Sequence, residues 1–260
     1  MVRRAINILV FALWCLAGTL RAVAQQQNQA RDSASSIWLT YFGEHPISPQ
    51  WNLHLEGEMF SYGPAESREL IFVRPGFRRV LSRGASVLVT YGYFLKYPAI
   101  TNASRALGEH RISEDIQWRH PVLGEGINRL TLTHRLRTEQ RFEAQEEQKG
   151  QGDIWEYAER FRYRLAANVP LPGNTAGSRP DYLSVYNEVF VNFGPHSKRT
   201  LDQNIAAGAI GWNLTPTLQV EVGYLLEYFP STVGIVGRYN HAMQINLNST
   251  IPFSRTKRSQ

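Results

Sequence analysis

Arginine and carboxylate side chains recur at every second position over long stretches of this 260-residue chain. Arg135, Arg137, Glu139 and Arg141 follow one another in this way, and Arg160, Arg162 and Arg164 repeat it. Arg111, Asp115 and Arg119 form a third such face, and Glu56 and Glu58 a fourth. Successive side chains of an extended chain point to opposite sides, so each set lies on one face of a strand. Two facing rows of guanidinium groups repel unless carboxylates come between them. Glu139, Glu56, Glu58, Glu188 and Glu227 are the candidate partners, and Arg74 joins the same polar set. Such a set supports one of two things. The leading expectation is a lining of basic groups along which small anionic solutes pass passively, and the alternative is a closed Arg–Glu network that holds an interior rigid.

The search for catalysis yields less. A Ser–His hydrolase needs the two side chains within hydrogen-bond reach and a third group to orient them. His196 and Ser197 are adjacent, but they sit in a Pro-flanked loop with no Gly-x-Ser-x-Gly elbow nearby. A membrane-embedded lipid hydrolase is therefore only a minor alternative, and no catalytic residue is assigned. His54 lies beside Glu56 and Glu58 on a polar face and reads as a hydrogen-bonding residue, whereas His134 lies on an apolar face. No His/Asp/Glu group has metal-ligand spacing, so neither a metal nor a cofactor is expected.

The elements that must position these residues have period two. Eleven alternating segments lie near residues 36–44, 51–61, 68–80, 85–97, 109–120, 127–142, 153–168, 181–193, 202–214, 217–229 and 236–253. A tilted strand crossing a membrane needs roughly 9–11 residues, more than most strands of soluble domains. Short connections near 45–50, 81–84, 121–126 and 215–216 alternate with longer ones, as in outer-membrane barrels; 169–180 is the exception. Tyr41, Trp51, Tyr93, Tyr97, Trp118, Trp155 and Tyr157 occupy positions suited to interfacial girdles. The expected fold is all-β: a transmembrane antiparallel up-and-down β-barrel of about twelve strands (10–12), apolar faces outward and charges in the lumen. The competing reading is a soluble β-sandwich, in which the apolar faces would stack on each other.

The N-terminus carries an address. Arg3 and Arg4, an apolar run from Ala5 to Leu20 and Ala22-Val23-Ala24 together make a cleaved signal peptide over 1–24. Residues 25–35 are then a periplasmic lead-in, 36–253 the barrel and 254–260 a basic tail. Removing Arg3, Arg4 and Arg21 leaves 25 basic against 22 acidic residues, so the mature charge of +3 gives no reason to expect nucleic acid. Cys15 leaves with the signal, so the mature chain has neither disulfide nor thiol. A mean hydropathy of −0.33 excludes a polytopic helical membrane protein.

Several stretches, in order along the chain, carry a resemblance: Trp51-Asn52-Leu53-His54-Leu55-Glu56-Gly57, Val73-Arg74-Pro75-Gly76-Phe77, Glu109-His110-Arg111-Ile112, His134-Arg135-Leu136-Arg137-Thr138-Glu139, Tyr157-Ala158-Glu159-Arg160-Phe161-Arg162 and Tyr186-Asn187-Glu188-Val189-Phe190. The pattern resembles a domain-of-unknown-function family of Gram-negative outer-membrane β-barrels. The resemblance implies an outer-membrane address and no activity. The partners would be outer-membrane lipid, the barrel-assembly and periplasmic chaperone machinery and, if the lumen is open, small anionic solutes. Three features depart from the usual pattern. Phe253 suits a terminal assembly aromatic, yet seven residues follow it. Single-chain bacterial barrels have even counts with both chain ends in the periplasm, so a twelfth strand is expected near the N-terminus, or ten strands if 36–44 lies in the lumen. Glu114 falls on the face of Ile112 and Ile116, which calls for an interfacial position or a bulge.

Overall fold

The computed structural model describes residues 32–62, 67–98, 104–123, 130–146, 153–171, 180–194, 200–230 and 237–253. The expected signal segment 1–24, residues 25–31, residues 254–260 and His196-Ser197 lie outside them.

The described chain forms eleven strands: β1 (Asp32–Pro46), β2 (Trp51–Tyr62), β3 (Ser67–Val80), β4 (Ala85–Lys96), β5 (Leu107–Leu123), β6 (Leu130–Glu146), β7 (Asp153–Pro170), β8 (Tyr182–Phe193), β9 (Leu201–Thr215), β10 (Leu218–Phe229) and β11 (Arg238–Ser249). Each matches one alternating segment of the sequence. Consecutive strands pair antiparallel, and β1 pairs β11 to close the barrel.

That closure overturns the expected twelfth strand. β1 and β11 run parallel, in unbroken register from Asp32 opposite Arg238 to Gly43 opposite Ser249. The even-count expectation assumed an antiparallel seam; a parallel seam satisfies the same backbone groups with an odd number. It has two consequences. Residues 32–35, expected ahead of the barrel, are part of β1. The start of β1 and the end of β11 also lie at opposite ends of the barrel, not together. The end of β1 shares its rim with the ends of β3, β5, β7, β9 and β11 and with the short turns 47–50, 81–84 and 216–217; its start shares the other, long-loop rim with the ends of β2, β4, β6, β8 and β10.

The alternation is turned inside out relative to a soluble core. Val73, Phe77, Ile116 and Val89 are each more than half exposed on the outer wall. Arg137, Asp115, Glu139 and Glu188 are buried inside. The apolar faces do not stack on one another, so the sandwich reading fails. Trp51, at the start of β2, and Trp155 and Tyr157, near the start of β7, stand exposed at strand ends.

Local exceptions have local causes. Pro75 lacks an N–H, and the β3–β4 ladder skips from Val73–Tyr93 to Gly76–Thr90. A side chain at Gly76 would run into the backbone of Val89 and Thr90, so the strands approach there only because it is glycine. Glu114 needs no bulge: the register runs through it on both sides, and its Oε2 accepts bonds from Thr138 (2.7 Å) and Gln140 (3.2 Å) on the outer wall. Phe253 lies past the end of β11. It stacks on His45 with centroids 4.2 Å apart and donates its N–H to Pro46 O, fastening the chain end across the rim of β1.

Candidate functional site

The candidate site is the lumen. Its inward positions follow from strand parity: when one residue of an alternating strand faces inward, so do those two away. Parity brings Glu56, Arg74, Arg111, Asp115, Arg135, Arg137, Glu139, Arg141, Arg160, Arg162, Arg164, Glu188 and Glu227 inside, and Glu58 with them, half-buried. Arg119 is the exception. It shares their face of β5 but is exposed at the short-turn rim, where its backbone N–H donates to Gly84 O at 2.6 Å. It takes no part in the lumen network, because the strand has run past the packed interior by that point.

The guanidinium rows of β6 and β7 do face each other. Arg135 opposes Arg164, and Arg137 opposes Arg162. Carboxylates from the flanking strands come between them. Asp115 on β5 takes Arg137 in a bidentate pair, 2.5 Å from Nε and 2.7 Å from Nη2. Glu188 on β8 accepts from Arg135 at 2.7 Å and from Arg162 at 2.8 Å. Glu139, within β6, accepts from Arg160 (2.7 Å) and Arg162 (2.8 Å). Arg164 instead lies over the Tyr186 ring, 3.6 Å from its centroid. These charge-assisted bonds are the strong class of hydrogen bond, and planar guanidinium suits the bidentate ones.

Two further ionic groups extend the network. Toward the short-turn rim, Glu44 Oε1 is shared by His54 Nδ1 (2.7 Å) and Arg78 Nε (2.9 Å). Glu56 joins His54 to Arg74, which it pairs with two-point geometry. Toward the long-loop rim, Glu109 gathers Lys96 (2.5 Å), Arg111 (2.6 Å) and Arg141 (2.9 Å). Glu143 adds Lys96 and Arg141 at 2.9 and 2.7 Å. Glu58 has no arginine within ion-pair distance among the described residues and does not bridge the arginine rows as expected. Glu227 accepts from the amides of Gln203 and Asn240, and Glu58 accepts only a 3.5 Å contact from Thr40 Oγ1 among the bonds resolved here.

Lys96, Glu109, Glu143, Arg78 and Asp202 belong to the network but were absent from the expected set. Parity alone reaches Glu109, two residues from Arg111, and carries β6 on from Arg141 to Glu143, one residue past the alternating segment 127–142. Asp202 had no such signal. It lies on the wrong parity of β9, but the register slips between Phe190–Gln203 and Val191–Leu201, and this turns it in to pair with Arg160 at 3.0 Å.

Above the central pairs, in the half of the barrel nearer the long loops, lies a cavity of about 530 Å³. Strand ends at that rim line it, among them Leu70, Lys96, Leu107, Phe229 and Arg238. Below it every strand but β7 supplies buried residues. Arg137 is 1 % exposed, and Glu139, Ser113 and Leu225 are 0 %. His134, expected on the apolar face, is on the outer wall, stacked on Trp118 and bonded to Tyr163 Oη at 2.9 Å. Among the described residues no three His, Asp or Glu side chains converge as metal ligands would.

Fold and lumen together define a closed all-β barrel, apolar outside and ionic inside. The chain belongs to the family described as "Protein of unknown function (DUF2490)", which matches residues 35–237. No curated protein and no solved structure matches it.

Proposed function

We propose that this is a bacterial outer-membrane β-barrel whose lumen is sealed, a rigid scaffold with a vestibule on the long-loop side and not an open anion channel. The observation that carries this reading is the Arg137–Asp115 pair, with both side chains almost wholly buried in the middle of the lumen. A path for solutes would leave these groups wet. The arginines expected to line such a path are taken up by carboxylates of the same wall, so they have little positive charge left to offer a passing anion. Strands of 12 to 18 residues, an apolar outer wall and exposed aromatics at strand ends support the membrane address. On this reading the outer wall meets lipid. A cleaved signal, periplasmic chaperones and the assembly machinery deliver the chain, and no catalytic step is assigned.

Planar-bilayer recording of the folded barrel tests the sealed lumen, with folding verified by heat-modifiable gel mobility. The expected result is no sustained conductance. A stable open level in the unaltered protein overturns the reading. Cell fractionation tests the address: recovery in the outer-membrane fraction is expected, and recovery as a soluble periplasmic protein overturns it.

A further inference from the structure

The vestibule contains a carboxylate without a counter-charge. Glu58 points into the cavity from β2, and no lysine, arginine or histidine among the described residues comes within ion-pair distance of it. The other acids of the lining are engaged. Glu56 holds Arg74, Glu143 holds Lys96 and Arg141, Asp202 holds Arg160, and Glu227 accepts from two amides. Arg74 and Arg162 face Glu58 from farther away, but each is bonded to carboxylates of its own, and Glu56 and Glu227 add negative charge from the same side. A carboxylate removed from water is costly unless it is paired or protonated.

Its surroundings are specific. Glu58 is paired in register with Thr40, and the next inward pair on the same two strands is Phe60 with Trp38. Those two rings meet with centroids 3.8 Å apart and line the same cavity. A carboxylate one rung from a Trp–Phe pair is the arrangement that recognises an ammonium group: the acid supplies the charge, and the ring faces supply cation–π attraction and an apolar wall. The volume, about 530 Å³, falls within the usual range for small-molecule sites. Arg111, Arg141, Arg160 and Arg162 across the cavity are each bonded to carboxylates of their own, and Arg238 at the rim lies over the Phe229 ring.

We infer that the vestibule is a binding site for a small organic ammonium compound with an aromatic or alkyl body, with Glu58 as counter-ion and Trp38 and Phe60 as the apolar face. The inference needs neither the membrane address nor the sealed lumen, so it stands or falls separately from them.

The test is calorimetric titration of the folded barrel in a neutral sugar detergent with three probes of nearly equal shape: phenethylammonium, phenethyl alcohol and phenylacetate. Saturable one-to-one binding of the ammonium is expected, at least tenfold tighter than the alcohol, with no binding of the carboxylate. In Glu58→Gln the ammonium should lose at least tenfold in affinity while the alcohol is unchanged. If the alcohol binds as tightly as the ammonium, Glu58 is protonated in a neutral site and the inference fails. It also fails if phenylacetate binds best, if no probe binds, or if Glu58→Gln leaves the ammonium affinity intact. Should that variant not fold, the comparison of the three probes on the unaltered barrel decides alone.

Discussion

The two walls of the lumen are filled by different means. From β5 to β8 the inward positions are ionic: Asp115 with Arg137, Glu139 with Arg160 and Arg162, and Glu188 with Arg135 and Arg162. From β8 through β11 to β1 arginines give way to amides and hydroxyls, with Ser36, Thr40, Gln203, Asn240, Gln244 and Asn246 buried around an apolar wall in which Phe190, Ile205, Leu225 and Ala242 form a cluster that Trp38 and Tyr186 pack against. The walls meet where Arg162 lies over the Phe190 ring at 4.2 Å and Arg160 at 5.0 Å. Both walls have the same strand alternation, so pattern alone does not decide how an interior is filled. The ionic wall depends on register, because each guanidinium has to find a carboxylate on a particular neighbouring strand. The apolar wall depends on volume, because dispersion and burial have no preferred direction.

The largest expected effect follows from that dependence. Arg137→Met leaves Asp115 buried without its partner, and breaking a buried pair from one side costs about 3–5 kcal/mol. Urea or thermal unfolding, followed by loss of the heat-modifiable band, should register the whole of it. Pairing the change with Asp115→Leu should recover most of the stability, because two apolar groups of similar size can replace a buried pair at little net cost. If the double variant is as unstable as the single one, the ionic wall is doing more than neutralising its own charges.

On the apolar wall the matching change is Leu225→Ala. Leu225 is 0 % exposed at the centre of the cluster, and truncation there costs about 2–5 kcal/mol through lost burial and the cavity left behind. The contrast lies in rescue. No second-site charge should restore this variant, whereas a bulkier neighbour such as Ala242→Val should restore part of it. Rescue by a charge, or none by added volume, would show that the two walls do not differ as described.

The same contrast explains what could be read in the sequence. All eleven strands were legible, because a half-buried strand announces itself in every second residue. Most of the inward charges were legible for the same reason, down to the need for carboxylates between the arginine rows. Which carboxylates serve was not, because that is fixed by register between strands distant in sequence. Glu188 meets Arg135 across 53 positions, and a sequence pattern carries no register. Asp202 was hidden by a bulge that reverses parity. The parallel seam was hidden because parity of strand count belongs to the whole barrel, and no residue of β1 or β11 encodes it locally. The vestibule was equally invisible: Trp38, Glu58 and Phe190 become neighbours of one space only when the barrel closes.

The smallest effect belongs outside both walls and calibrates them. Arg105 and Asp153 form an ion pair near the long-loop rim, where Arg105 is about half exposed. Solvent screens such a pair, and holding two side chains in place offsets much of its attraction, so Arg105→Ala should cost less than about 1 kcal/mol. Raising the salt should erase even that difference, because charges at the rim lie within reach of the ionic atmosphere. The Arg137→Met deficit should persist at the same salt, because water and ions do not reach Asp115. A rim pair worth as much as the buried one, or a buried one that salt weakens equally, would mean that solvent enters the ionic wall and that the lumen is open.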